Sequence, residues 1–140
     1  MRLASASILL LLAGTLAAQT QEFRSYVASK SGTSAQVPAN WRSEGMKAAD
    51  TREGQIFVSP SGNSMLAIYT MSTTTRDRAQ AADEPAAPDE RITYRANGRN
   101  WFVRSGFKGD DRIFYRKVIF ACDGRVAHLL AFDYPASEKR

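Results

Sequence analysis

The sequence contains one cysteine and one histidine among 140 residues, and this scarcity excludes several common catalytic and metal-binding chemistries. A single thiol cannot form an intrachain disulfide, and zinc sites need several cysteine or histidine ligands. Neither a glycine-rich phosphate loop nor a Gly-x-Ser-x-Gly motif occurs in the chain. We therefore expect no metal, no cofactor and a fold that is stabilised by core packing alone.

Long apolar runs are absent except at the N-terminus. The positively charged start MR precedes the apolar segment LASASILLLLAG, and the small residues of TLAAQ follow it. This order is typical of a secretory signal peptide, and the apolar segment is shorter than the about 20 residues of a transmembrane helix. We predict a signal peptide over residues 1–18 that is cleaved after Ala18, with Ala17 as the alternative site, and one domain over residues 19–140. A buried N-terminal helix is the other interpretation.

The predicted signal peptide places the protein in the periplasm or outside the cell, with no transmembrane segment in the mature chain. The formal net charge of the whole chain is +5, from 19 Lys and Arg against 14 Asp and Glu. Removing the one arginine of the signal peptide leaves 18 cations and a charge of 18 − 14 = +4. This mild basic excess favours a protein or an anionic envelope component as the partner.

Short alternating or apolar segments at close spacing predict a mostly antiparallel β-protein of class α+β. We expect about six to eight short strands connected as hairpins, with few flanking helices. The predicted strand pairs are 23–28 with 33–37, 55–59 with 65–71, 92–96 with 101–107, and 112–122 with 125–134. Gly32, PSGN, NGRN and DG supply the turn residues. Residues 41–54 are predicted to be a polar loop, and residues 76–83 about two helical turns before two prolines.

The register of the last predicted hairpin separates the lone thiol from the lone imidazole. If Asp123 and Gly124 form a two-residue turn, Cys122 pairs with Arg125, and Cys122 and His128 fall on opposite faces. This placement disfavours a thiol–imidazole dyad, so we interpret His128 as a packed or edge residue and Cys122 as a small apolar filler. Both faces of this hairpin are apolar in part, which predicts that both are partly covered.

The segment RITYRANGRNWFVRSGF (91–107) alternates aromatic residues with arginines, a pattern that nucleic-acid-binding sheets also show. When Phe102 and Val103 are aligned with an RNA-recognition-motif signature, its leading basic position falls on Gly98 and its final aromatic position on Ser105. The signature therefore fails, and export removes most nucleic acid from reach. We predict a hairpin that does not bind nucleic acid.

The two faces of this hairpin follow from pairing Ala96 with Trp101 across the turn. The residues predicted to point inward are Tyr94, Ala96, Trp101 and Val103. The predicted outer, basic side carries Arg95, Phe102 and Arg104. We interpret this outer side as a possible surface for an anionic ligand or partner.

Four stretches together resemble a group of uncharacterised exported bacterial proteins with a PsbP-like α/β sandwich. They are VPANW (37–41), QIFVSPSGN (55–63), ITYRANGRNWFVRSG (92–106) and FDYPASEKR (132–140). The resemblance spans residues 24–140, and it implies an antiparallel sheet flanked by helices and a non-enzymatic role. It implies no catalytic residue, because the matching features are turns and strand ends.

The sequence differs from these proteins in two places. They usually continue after YPASEK into a C-terminal amphipathic helix, whereas this chain stops at Arg140. The region between residues 72 and 90 is also short for the helix expected there. Both differences remove cover from the sheet, and an open apolar sheet face usually marks an interaction surface. We therefore predict a poorly covered partner surface that includes Phe114, Val118, Phe120 and Leu129.

The leading hypothesis is a small exported binding or accessory module without catalytic activity. One alternative is an envelope hydrolase that uses carboxylates alone, and its candidate residues are Asp110, Asp111, Asp123 and Asp133. Two of them would have to meet in a cleft at the spacing that glycosidases use, about 5–10 Å. A further alternative is a truncated product of a longer PsbP-like protein without a function of its own.

Overall fold

The computed structural model describes residues 21–45, 53–74 and 87–139. The predicted signal peptide, its cleavage site at Ala18 and the helix predicted over residues 76–83 lie outside these ranges. Within them the chain forms nine strands: β1 (Phe23–Val27), β2 (Ser34–Pro38), β3 (Arg42–Gly45), β4 (Glu53–Val58), β5 (Met65–Ser72), β6 (Glu90–Asn97), β7 (Trp101–Lys108), β8 (Arg112–Ala121) and β9 (Val126–Pro135). Two short 3₁₀ turns follow β8 and β9, at Cys122–Gly124 and Ala136–Glu138.

The strands form two antiparallel sheets. β1 and β2 pair with each other, and the other seven strands form one sheet in the order β3-β4-β5-β9-β8-β7-β6. The prediction of a mostly antiparallel, hairpin-connected fold is confirmed. No helix within the described ranges is long and apolar enough to cross a bilayer.

Strand β3 lies in a segment that we predicted to be a loop, and that prediction is wrong for Arg42–Gly45. This strand pairs with β4 at the edge of the large sheet, and all four of its side chains are exposed. An exposed edge strand needs no apolar side of its own, so its polar sequence RSEG lacks the alternation by which strands are recognised.

The two faces of the seven-stranded sheet each hold an apolar cluster. The face that the β1–β2 hairpin covers, here called the proximal face, packs Phe57, Leu66 and Ile68 against Val37 of β2. Tyr26 of β1 contacts Phe57 edge to face at 5.3 Å between ring centroids. The opposite or distal face holds a cluster of Phe102, Val118, Phe120 and Ala127. This arrangement confirms that both faces of the β8–β9 hairpin are partly covered.

The β8–β9 hairpin has the predicted register, with Ala121 opposite Val126 and Ile119 opposite His128. Asp123 and Gly124 have left-handed φ angles of 57° and 85°, as the DG turn requires. Cys122 also has a positive φ of 52°, so the chain leaves the strand one residue earlier than a two-residue turn implies. His128 lies on β9, with its side chain on the proximal face.

The β6–β7 hairpin is shifted by two residues from the predicted register, because Ala96 lies opposite Val103 and not opposite Trp101. A shift of two preserves the face of every side chain. The predicted grouping of side chains into faces is therefore correct on both sides of the turn. A β-bulge between Ile92 and Tyr94 interrupts the regular pairing near the start of β6.

Candidate functional site

An aromatic and apolar area lies on the proximal face of β6, β7 and β8, beyond the area that the β1–β2 hairpin contacts. Tyr94 is 56% exposed, Trp101 36% and Ile119 39%. Trp101 pairs directly with Ile119 on β8. We call the area formed by these three side chains, together with Arg91 and Lys117 of the same face, the open surface. Tyr94 lies opposite Ser105, four residues along β7 from Trp101, so about 13 Å of strand separates the two aromatic residues. Exposed aromatic side chains on one face of a sheet are typical of sites that bind a partner.

The β6–β7 turn sets the position of Trp101. The N–H of Gly98 donates to the carbonyl of Trp101 at 2.8 Å, and a Cβ added at Gly98 would overlap the indole ring of Trp101. Glycine is required here because the ring lies against its backbone. The exposed indole thus lies against the backbone of the turn.

The open surface carries two cations and no carboxylate. The guanidinium carbon of Arg91 lies 4.8 Å from the ring centroid of Phe107, and Lys117 lies opposite Val103, in the middle of the surface. Neither cation forms an ion pair with another described residue. The register places no Asp or Glu on the proximal face of β6, β7 or β8. The surface therefore presents positive charge beside apolar area.

The distal-face side chains that we predicted to be uncovered are buried or half-buried: Phe114 (2% exposed), Val118 (6%), Phe120 (7%) and Leu129. Phe120 contacts Phe102 at 6.1 Å between ring centroids. The guanidinium carbon of Arg116 lies 4.9 Å from the centroid of Phe114. Long arginine side chains can cover aromatic rings with their stems while the charged ends reach water. The prediction that these four side chains are poorly covered is therefore wrong.

The predicted outer side of the β6–β7 hairpin is in fact largely buried. Arg104 and Phe102 are each 7% exposed, with the Arg104 guanidinium carbon 4.9 Å from the Phe102 ring centroid. Nη1 of Arg104 donates to Asn97 Oδ1 at 2.7 Å and to the Val103 carbonyl at 2.8 Å. A guanidinium can be buried when its donors meet such acceptors. Arg95 is exposed and Val103 is buried, as predicted. The prediction is wrong for Phe102 and Arg104, which are buried, and for Tyr94 and Trp101, which are exposed.

A second polar site connects the β1–β2 turn to the proximal face. Thr70 and His128 lie opposite each other on β5 and β9. Thr33 Oγ1 lies 2.5 Å from Thr70 Oγ1 and 2.6 Å from His128 Nδ1. Thr70 Oγ1 donates to Ser31 Oγ at 3.0 Å, and Ser31 Oγ also lies 3.0 Å from Thr33 Oγ1. The Ser31 side chain in turn helps to lower the pKa of Glu53. We call these five side chains the hydroxyl network.

The direction of the hydrogen bonds in the hydroxyl network depends on the tautomer of His128. The hydroxyls of Ser31, Thr33 and Thr70 each lie within hydrogen-bond distance of the other two, and each hydroxyl donates only once. Nδ1 of His128 can donate to Thr33 or accept from it.

Glu53 is the accepting end of the hydroxyl network. Burial disfavours its charge, but hydrogen bonds from the Lys30 N–H and from the side chain and N–H of Ser31 outweigh burial and lower the pKa of Glu53 from its ordinary 4.5. The Lys30 N–H donates to Oε1 at 2.8 Å. Burial raises the pKa of Tyr26, and the negative charge of Glu53 raises it further. Glu53 is thus ionised near neutral pH and accepts hydrogen bonds from the β1–β2 turn.

The hydroxyl network joins the two sheets, because Thr33 of the β1–β2 turn contacts Thr70 of β5 and His128 of β9. Cys122 is exposed in the β8–β9 turn, and a side-chain hydrogen bond of His128 goes to Thr33 on another hairpin.

The four aspartates considered for acid–base chemistry are divided between the two ends of β8. Asp110 and Asp111 lie in the β7–β8 turn, before Arg112, and Asp123 lies in the turn that follows the strand. A ten-residue strand is about 33 Å long, so Asp123 is remote from the first pair. Asp133 is bound by Arg112, whose Nε donates to Oδ1 at 2.5 Å. Asp133 is thus held by an arginine, and Asp123 cannot share a cleft with Asp110 and Asp111.

The sequence reasoning missed the two features that the fold brings together here. The hydroxyl network joins Thr33 to His128, which are 95 positions apart, and no local pattern links serine and threonine in a turn to a distant strand. Tyr94 and Trp101 were correctly placed on one face, but that face was assigned to the interior. The sequence did contain a signal for this exposure, because aromatic residues that alternate with small and charged residues on a hairpin also fit an exposed edge of a sheet.

Comparison with known proteins supports the fold. No family model and no curated protein matches the sequence. Among solved structures, the chain is similar to cyanobacterial PsbP (CyanoP) from Synechocystis sp. PCC 6803, with a TM-score of 0.57 and 10% sequence identity. The similarity covers 90% of this chain and 88% of that chain. The chain has a PsbP-like fold, as the sequence resemblance implied, and at this identity the similarity shows the fold alone.

Proposed function

We propose that this chain is a small exported module without catalytic activity that binds a protein or an anionic envelope component through the open surface. The observation that carries the proposal is the exposure of Tyr94, Trp101 and Ile119 on one face of the sheet. Exposed apolar area costs about 25 cal/mol per Å² relative to burial. Because three large apolar side chains on this face are exposed to water, their burial under a partner is favourable.

One further feature supports a role in binding and not in catalysis. Of the candidate aspartates, Asp133 is bound by Arg112, and Asp123 lies at the opposite end of β8 from Asp110 and Asp111. A PsbP-like accessory role agrees with this feature, and the charged and apolar pattern of residues 1–18 supports export.

Capture from the envelope fraction of the producing cell tests this proposal. The mature chain would be immobilised as wild type, as Trp101→Ala and as Phe23→Ala, where Phe23 is an exposed aromatic on β1, 60% accessible. We expect a stoichiometric partner that wild type and Phe23→Ala retain and that Trp101→Ala loses. Equal retention by Trp101→Ala, or turnover of a substrate by the wild type in a broad hydrolase screen, would contradict the proposal.

A further inference from the structure

We infer that the occupant of the open surface is a protein segment that combines acidic with apolar side chains. This inference rests on the proposed function and specifies the chemistry of its partner. It is argued from the donors, the charges and the shape of the open surface.

The polar groups of the open surface are mainly donors. The indole N–H of Trp101 and the hydroxyl of Tyr94 form no hydrogen bond with another described residue. Arg91 and Lys117 add charged donors without an ion-pair partner among the described residues. A partner that covers these groups has to supply acceptors, since a buried donor without an acceptor costs about 1–3 kcal/mol. Carboxylates supply the most acceptors per side chain and also neutralise both cations.

The proximal face carries charge of one sign around the open surface. Arg91 and Lys117 lie on this face, where β6, β7 and β8 place no Asp or Glu. Arg95, Arg104 and Lys108 lie on the distal face, and Asp89, Glu90, Asp110 and Asp111 flank the hairpin. The two proximal cations give the open surface a local positive potential, which attracts an acidic partner and raises its association rate. Because Lys117 lies between the apolar contacts, the complementary segment needs acidic and apolar side chains close together.

The shape of the open surface favours a protein that contacts side chains. Strand addition to the edge of β6 is disfavoured, because the bulge between Ile92 and Tyr94 and the exposed charge of Arg95 protect that edge. Exposed Trp and Tyr rings also occur at membrane interfaces, where apolar side chains enter the bilayer and cations stay at the headgroups. Here Arg99 forms part of the tip of the hairpin, and the Trp101 indole lies behind it against the turn. Tryptophan, tyrosine and arginine are the residues that most often dominate protein–protein binding.

Random peptides displayed on phage test this chemistry without knowledge of the natural partner. Peptides would be selected on the wild-type mature chain and counter-selected on Trp101→Ala. We expect the selected peptides to be enriched in Asp and Glu next to apolar residues. One synthetic selected peptide should then bind the double variant Arg91→Met/Lys117→Met about tenfold more weakly than wild type. Lys139→Met, an exposed cation at the other end of the chain, is the matched control and should bind normally.

Three outcomes would overturn the inference. Selected peptides without acidic residues would show that the partner is not acidic. Wild-type affinity of the selected peptide for the double variant, measured when the two proteins have the same thermal midpoint, would show the same. Trp101-dependent binding to vesicles of phosphatidylglycerol, without selection of acidic peptides, would identify a lipid surface as the occupant. If a Trp101-dependent protein is captured from the envelope while the acidic preference fails, only this inference is lost. If Trp101→Ala changes nothing in either experiment, the proposed function fails as well.

Discussion

Removal of Arg116 from its ion pair with Glu90 should destabilise the fold much more than removal of Glu90. The side chain of Glu90 is 2% exposed, whereas that of Arg116 is 48% exposed. Both guanidinium nitrogens of Arg116 donate to the carboxylate, one of them at 3.0 Å to Oε2. The Ala87 N–H is the other donor, at 3.3 Å. Glu90 is thus the buried partner of the pair, and Arg116 is the half-exposed one.

We expect Arg116→Met to destabilise the fold by about 3–5 kcal/mol, because it leaves a buried carboxylate without its cation. Glu90→Gln should cost about 1–2 kcal/mol, since the half-exposed guanidinium of Arg116 is then solvated by water. Urea unfolding of both variants, followed by tryptophan fluorescence, measures the difference from the midpoints at constant slope. The double variant should be more stable than Arg116→Met alone. If Glu90→Gln were the more destabilising single change, this reasoning would be refuted.

Three further predictions concern the β1–β2 hairpin and its attachment to the large sheet. Val37 has no exposed area, so Val37→Ala should lower the unfolding free energy by about 2 kcal/mol in the same urea experiment. Val27 is 61% exposed, so the control Val27→Ala should change it by less than about 0.5 kcal/mol. Because hydrogen bonds lower the pKa of Glu53, its contribution is present above the ordinary pKa of 4.5 and is lost as the pH falls through the lowered value. The protection factors of the amides in the β1–β2 turn, which compare the measured exchange rate with the intrinsic rate at each pH, should therefore fall on acidification in wild type but not in Glu53→Gln. Thr33→Val removes the hydroxyl that contacts both Thr70 and His128 and should lower the unfolding free energy by about 1–2 kcal/mol; an unchanged urea midpoint would contradict a role of the hydroxyl network in joining the sheets.

Local sequence chemistry was sufficient to predict most of the strands and one register. The DG turn fixed the pairing of β8 with β9, because Asp123 and Gly124 accept the left-handed angles that few other residues tolerate. The NG sequence at Asn97–Gly98 led us to predict a register of β6 with β7 that is wrong by two residues. There the glycine makes room for the indole of Trp101, a tertiary contact that turn propensity does not contain.

The exposure of each face could not be predicted from alternation, because alternation groups side chains without saying which group is inside. Phe102 and Arg104 were assigned to the surface on account of the arginine. The structure buries both, since Arg104 finds its acceptors in Asn97 and in backbone carbonyls. Tyr94 and Trp101 were assigned to the interior on account of their apolar area, and the β1–β2 hairpin covers other strands of that face. Exposure depends on which strands the hairpin covers, and that is a property of the whole fold.

Site-specific photocrosslinking in the producing cell tests the central claim most directly. A benzophenone amino acid would replace Trp101 in one variant and the equally aromatic and exposed Phe23 in another. The proposed function predicts a covalent adduct with one discrete partner from position 101 and none from position 23. No adduct at position 101, or the same adduct at both positions, would contradict the claim that the open surface is where this protein binds its partner.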